Sequence, residues 1–365
     1  MKPFVIFFPQ FYPNETNDKA WGHGFTDWAL VANANLQNRW ARRAPLRGFY
    51  DGSSEEVHLQ QINEINESGL GGVAVYHYWF YTHSELARFE RTLMKTPASQ
   101  STDWFLIWAC EGWSKRWIGD PQTIIHLTKN PTNDEIAEHC EYLAKCFDRS
   151  NYTRVGGKPV FVWYNLSHFD TPAEVVERYK NWFAKRGEDI FTGHFIKNPF
   201  EAAYSSLVDF NYLFEPRLFY GFNRTGRGSI GRSIHQALRS SLGEKFVDRI
   251  LVMLDRGQKS GVTYSARDYL AYLESRERSA LVGSLATPYQ EVVSPAWNNT
   301  PRYGDRFTAL ESLSPEAFGA LVRTACARDT ALPPLVNAWN EWSEGAAVEP
   351  CAYQGTAYLD ALVFK

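Results

Sequence analysis

The 365 residues are 44% apolar and 15% aromatic, enough to bury a large core. A formal net charge of -3, with Lys and Arg scattered along the chain, leaves no electrostatic footprint for nucleic acid. No apolar run approaches the ~20 residues of a membrane helix.

In chain order, the short apolar run 4–8 reads as a strand, and a long irregular stretch is expected from there to about residue 52. In "EEVHLQQINEINESG", Val57, Leu59, Ile62 and Ile65 recur near helical spacing and Gly69 ends the pattern. Strands are predicted at 71–80, 103–113, 158–165, 189–196, 207–216, 291–297 and 333–339. Helices are predicted at 133–147, opening on Asn133 as a cap, at 171–187, with Pro172 in its first position and Gly187 at its end, and at 265–278 and 314–328. Eight strands alternating with helices point to a parallel sheet, and the length suits a (β/α)8 TIM barrel forming one domain over 1–365. A doubly wound sheet is the alternative. The connections at 9–52 and 217–262 are long, and long loops in compact folds usually carry function.

In a parallel barrel the reactive side chains stand at the C-terminal ends of the strands. Those ends carry Gln10 and Tyr12 on strand one, and His77, Tyr78 and Trp79 on strand two. Strand three offers Glu111 and Trp113; strand four offers Trp163 and Tyr164 with Asn165. Glu215 and Arg217 follow strand six, Trp297 and Asn298 strand seven, and Asn340, Glu341, Trp342 and Glu344 strand eight. Carboxylates, amides and flat aromatic faces on one rim suit a polar ligand, and a sugar above all, because its C–H faces stack on Trp and Tyr. Two carboxylates at one bond are the usual apparatus of glycoside cleavage. Glu341 and Glu344, three apart, share a face if their loop makes one helical turn.

Five cysteines without a CxxC (Cys110, Cys140, Cys146, Cys326, Cys351) fit reduced thiols, and no small-residue cleavage site follows the first apolar run. The expected location is therefore cytoplasmic. Nine dispersed histidines form no HExxH or Cys/His cluster, so neither a metal nor another cofactor is expected. "GRGSIG" (226–231), followed by the helix-like "RSIHQALRSSL", matches a G-x-G-x-x-G pattern. Helix N-termini bind phosphates, but the strand such a motif requires does not directly precede this one.

The stretch "NAWNEWSEGAAVEP" resembles the hallmark of WbsX-type proteins and of glycoside hydrolase family 99. Further stretches resemble the WbsX type in the same order: 7–34, in which Trp28 joins the expected sugar-binding residues, then "RRAPLRGFYD", "YHYWF", "WACEGWSKRW", "KPVFVWY", "FEPR" and "WNNTPRYG". The resemblance implies a (β/α)8 barrel and a retaining enzyme for α-linked manno-configured sugars, mannose or rhamnose, of a bacterial-type surface polysaccharide. It also implies an unusual mechanism: Glu341 would deprotonate the sugar's own 2-hydroxyl, which closes on the anomeric carbon, and Glu344 would act as acid/base. Where the WbsX pattern has "ANENW", this chain has "ACEGW", with Cys110 and Gly112. Glu111 is kept as an expected sugar ligand. Two other readings stand beside this one: a glycosyltransferase or transglycosylase of polysaccharide biosynthesis, and a carbohydrate-binding protein without catalysis. The partner in each is an oligosaccharide or polysaccharide.

Overall fold

Near-continuous apolar runs such as "GVAVYHYWF" and "DWFLIW" are what strands covered on both faces require, and they pair accordingly. The computed structural model describes residues 1–36, 43–80, 83–115, 123–125, 127–225 and 261–363. Eight parallel strands close a barrel: β1 (Phe4–Phe7), β2 (Gly72–Phe80), β3 (Asp103–Trp108), β4 (Lys158–Trp163), β5 (Phe191–Ile196), β6 (Phe210–Phe214), β7 (Tyr289–Val293) and β8 (Leu335–Val336). Each pairs with the next, and β8 returns to β1 in the register Phe4↔Leu335 and Val5↔Val336. This is the (β/α)8 TIM barrel that the alternation predicted. No helix among the described residues is long and apolar enough to cross a membrane.

The stretch expected to be irregular after β1 contains two helices, α1 (Glu15–Trp21) and α2 (Asp27–Leu36), before α3 (Glu55–Glu67). α1 starts where the Asn14 side chain accepts the Asn17 N–H, a cap that needs no apolar periodicity and so escapes a pattern search. Ser54 caps α3 in the same way. α4 (Arg88–Lys95) follows β2. α5 (Asn133–Phe147) begins one residue earlier than expected: its cap is Thr132, in a capping box with Glu135, and Asn133 is already helical. α6 (Pro172–Ala184) has Pro172 in its first turn, though Thr171 makes no side-chain cap bond. A 3-10 segment, Pro199–Leu207, joins β5 to β6, and α7 (Arg217–Thr225) follows β6. The "GRGSIG" motif and the helix-like stretch after it lie outside the described residues.

The predicted helix 265–278 is two helices, α8 (Ala266–Leu273) and α9 (Arg276–Gly283). Ser275 caps the second, which is why one periodic run breaks in the middle. Trp297–Asn298 does not extend β7. It pairs antiparallel with Thr308–Leu310, which pairs in turn with Val262–Tyr264, in a small sheet beside the barrel. The turn α10 (Thr300–Tyr303) rises from this sheet, and α11 (Pro315–Cys326) leads to β8.

Inside the barrel, side chains from alternate positions fill the axis. Phe4 stacks on Phe105 with ring centroids 5.9 Å apart, Phe105 faces Tyr212 at 6.5 Å, and Phe195 faces Tyr212 at 5.6 Å. The C-terminal mouth above this plug is open.

Candidate active site

The period-two alternation of a strand decides which mouth residues look inward. On β2, Tyr76 and Tyr78 line a cavity of about 280 Å³ at the C-terminal mouth, while the alternate residues His77 and Trp79 point outward. His77 is buried between Glu90, at 2.9 Å, and His139, at 3.0 Å, and Trp79 stacks on His139 at 4.9 Å. Phe214 lines the cavity and Glu215 turns away, paired with Arg278 at 3.3 Å and accepting the Phe219 N–H at 3.1 Å. Tyr164 lines the cavity and Trp163 packs outside against Phe161 and Tyr179.

Of the residues expected at the site, the structure brings together Tyr78, Glu111, Trp113, Tyr164, Arg217, Glu341 and Glu344. Gln10, just beyond the end of β1, also lines the cavity, and the rest lie away from it, for traceable reasons. The Tyr12 hydroxyl accepts the Arg88 N–H at 3.3 Å. Trp28 donates from Nε1 to the Tyr50 carbonyl at 2.7 Å and stacks on Phe49. Trp297 is buried beneath Arg217, whose guanidinium carbon lies 6.0 Å from its ring. The Asn298 side chain is turned onto Thr300, accepting its N–H at 3.0 Å. Asn340 is fully buried and grips the backbone of Phe8, accepting its N–H and donating to its carbonyl, both at 2.8 Å. Trp342 donates from Nε1 to Glu349 at 2.9 Å.

After β8 the chain makes the single turn that the E-x-x-E spacing required. Trp342–Glu344 is a 3-10 turn, stopped by Gly345 at a φ of 65°, a left-handed conformation that suits glycine. Glu341 and Glu344 thereby reach one cation. Arg302, on α10 and 8% exposed in its side chain, donates from Nη2 to Glu341 Oε1 at 2.8 Å and from Nη1 to Glu344 Oε1. Asp27, at the start of α2 and completely buried, lies 3.5 Å from the same Nη2. Three carboxylates thus surround one guanidinium. Burial, opposed by Arg302 and reinforced by Glu344 and Asp27, pushes the Glu341 carboxyl up to about 8. Burial also raises Asp27 above the usual carboxylate range.

The wall facing this cluster is aromatic. Tyr76 and Tyr164 meet edge to face at 5.6 Å, and Tyr78 meets Trp113 in the same way at 5.5 Å. Burial keeps the phenols of Tyr76, Tyr78 and Tyr164 well above their ordinary titration, so they act as neutral hydrogen-bond partners. Glu111, on the exposed lip, accepts from Asn165 Nδ2 at 3.2 Å, and the Cys110 thiol behind it is buried and pushed up to about 12. Glu111 and Trp113 stay on the cavity wall although Gly112 separates them.

Sequence reasoning passed over Arg302, Asp27 and Tyr76. Tyr76 was available from the alternation that already marked Tyr78. Arg302 stands in "WNNTPRYG" and Asp27 in the 7–34 stretch, but nothing local says that these two segments meet the end of β8.

Aromatic walls with paired acids at the mouth of a TIM barrel invite comparison with known proteins. Residues 3–362 match the family model described as glycosyltransferase WbsX. The chain belongs to the WbsX family. Curated relatives include the uncharacterized protein WxcX from two strains of Xanthomonas campestris pv. campestris, 27% identical over 368 residues and 26% identical over 371 residues. Each match covers 98% of this chain and 48% of the relative, so the chain spans about half the length of the curated relatives it matches. Among solved structures, a glycoside hydrolase-like protein aligns over 99% of this chain and 92% of its own at a TM-score of 0.58. A GH99 endo-alpha-mannosidase from Bacteroides thetaiotaomicron aligns over 99% of this chain and 95% of its own at 0.55. Both are 13% identical to this WbsX chain and share its fold. Family membership supports a carbohydrate-active enzyme.

Proposed function

We propose that this WbsX protein is a glycoside-processing enzyme of polysaccharide biosynthesis that acts on α-linked manno-configured sugars through Glu341 and Glu344. The observation that carries the reading is the placement of both glutamates on one cavity wall, held by a single guanidinium, opposite the aromatic face formed by Tyr76, Tyr78 and Tyr164. In this reading Glu341 takes the proton of the sugar 2-hydroxyl as O2 bonds to the anomeric carbon. The bond from that carbon to the leaving oxygen breaks, and Glu344 gives the leaving oxygen its proton. An acceptor hydroxyl then opens the 1,2-anhydro ring from the opposite side. Glu344 takes the acceptor's proton, and Glu341 returns its own to O2. Two inversions give net retention. An axial 2-hydroxyl, as in mannose or rhamnose, stands anti to an axial leaving group, which is the geometry ring closure needs.

The same steps serve hydrolysis or transfer, according to whether the acceptor is water or a sugar hydroxyl. Transfer is favoured by the description of the family as a glycosyltransferase. The deciding experiment is mass spectrometry of α-mannosyl and α-rhamnosyl oligosaccharides incubated with the protein and with Glu341→Gln and Glu344→Gln. Fragments carrying one water, absent with both variants, would establish hydrolysis. Longer or rearranged chains, again absent with both, would establish transfer. Unchanged turnover in either variant would remove that glutamate from the mechanism, and bound but unaltered glycans would leave a carbohydrate-binding protein.

A further inference from the structure

The cations around the barrel mouth differ in how they are neutralised. Arg302 is paired with Glu341 and Glu344, Lys197 with Glu201 at 3.2 Å, and Arg278 with Glu291 at 2.6 Å and with Glu215. Arg217 has no such pair. It lines the cavity where α7 begins, and among the described residues it has no carboxylate within ion-pair distance. Its Nη1 donates to the Tyr164 hydroxyl. That phenol is buried and stays protonated, so the bond orients the guanidinium without cancelling its charge. The guanidinium carbon lies 6.0 Å from the centroid of the buried Trp297 ring. A guanidinium has five N–H donors in a fixed fork, shaped for the two oxygens of a carboxylate or phosphate. Glu344 and Glu111 act on this charge only from beyond ion-pair distance, so a ligand anion that bonds the fork directly adds an interaction that neither carboxylate makes.

We propose that Arg217 is the recognition site for an anionic group, a carboxylate or a phosphate, carried by the glycan that occupies the cavity. The substrate class is then an acidic glycan, with its charged substituent on Arg217 and its reacting sugar at Glu341 and Glu344. This rests on the glycan reading above and extends it to the identity of the chain processed. Neutral hydroxyls can also accept from arginine, so the discriminating quantity is the preference for charge.

Calorimetric binding to the full chain carrying Glu341→Gln, which prevents turnover, separates the two. Three manno-configured oligosaccharides differing at one position are compared: neutral, hexuronate-bearing and phosphate-bearing. At least one acidic glycan should bind roughly tenfold to a hundredfold tighter than the neutral one, the range for hydrogen bonds to a charged group. Adding Arg217→Gln should erase that gap, whatever it does to the affinity for the neutral glycan, and an unchanged thermal-unfolding midpoint shows the variant to be folded. Arg217→Lys should keep part of the gap, since the charge remains and the fork does not. Whichever acidic glycan shows the gap identifies carboxylate or phosphate. Equal binding of all three glycans, or a gap that survives Arg217→Gln, overturns the anion site and leaves the glycan reading standing. Failure of all three to bind overturns both.

Discussion

At the scale of single residues, the charge arrangement around Arg302 makes the role of Glu341 testable. A carboxyl at about 8 is protonated at neutral pH in the free protein, whereas a group that deprotonates the 2-hydroxyl must be ionised. If Glu341 is the base, kcat/KM rises with pH through about 8. If Glu341 is the proton donor, kcat/KM falls across the same interval. Arg302 opposes the effect of burial, so Arg302→Gln should move this limb to higher pH in either case; a pH profile of each protein, measured with the glycan that the mass spectrometry selects, checks both points. The acid pair was legible in the sequence because Glu341 and Glu344 are three residues apart on a strand end. Its counter-ion Arg302 and the third carboxylate Asp27 were not, because they start from α10 and α2 and meet the pair only through the fold. His77 and Trp79 illustrate the opposite case: both were expected to meet the sugar, but alternation along β2 turns both toward the helices.

At the scale of elements, the segment after β8 is held rigid from behind by Glu349. This buried carboxylate accepts from Trp342 Nε1 at 2.9 Å, Arg47 Nε at 3.0 Å, the Tyr50 hydroxyl at 3.1 Å and Gln61 Nε2 at 3.2 Å. It ties the turn that carries Glu341 and Glu344 to α3 and to the connection before it. Glu349→Leu leaves four donors without their acceptor, one of them a charged guanidinium. Arg47 keeps its ion pair with Glu64, so the loss is that of buried donors left without an acceptor, about 1–3 kcal/mol. A fall of that size in urea-denaturation stability is expected, and no change would mean that the network contributes nothing net. The helix-and-strand alternation that marks the barrel was legible because apolar runs and Ser, Thr and Pro caps are local signals. The pieces that escaped, α1, α2 and the break between α8 and α9, depend on single capping residues such as Asn14 and Ser275 inside stretches without a clear period.

For the molecule as a whole, the two ends of the barrel do different work. The mouth carries the acids and the aromatic wall, and the opposite end carries packing. Gly72, the first residue of β2, sits at that lower end, where a methyl group would lie 2.3 Å from the Asp103 carbonyl oxygen and 2.6 Å from the Phe4 ring. Neither the neighbouring strand nor a ring already stacked on Phe105 can give way freely. Gly72→Ala should therefore lower stability by about 1–3 kcal/mol or more through overpacking. Its kcat under folding conditions should stay unchanged; lost activity at full folding would show that the two ends are coupled.

The seam between β8 and β1 also has a kinetic side. Asn340 and Phe8 grip each other although 332 residues separate them along the chain. Contacts of such sequence separation are slow to form, because the entropy of closing the intervening loop must be overcome before the contact stabilises anything. Glu341 follows Asn340 directly, so no intermediate with an open seam, however much of its sheet is in register, can assemble the acid pair over the cavity. If Glu341 and Glu344 act as proposed, a chain whose ring has not closed should be inactive rather than weakly active.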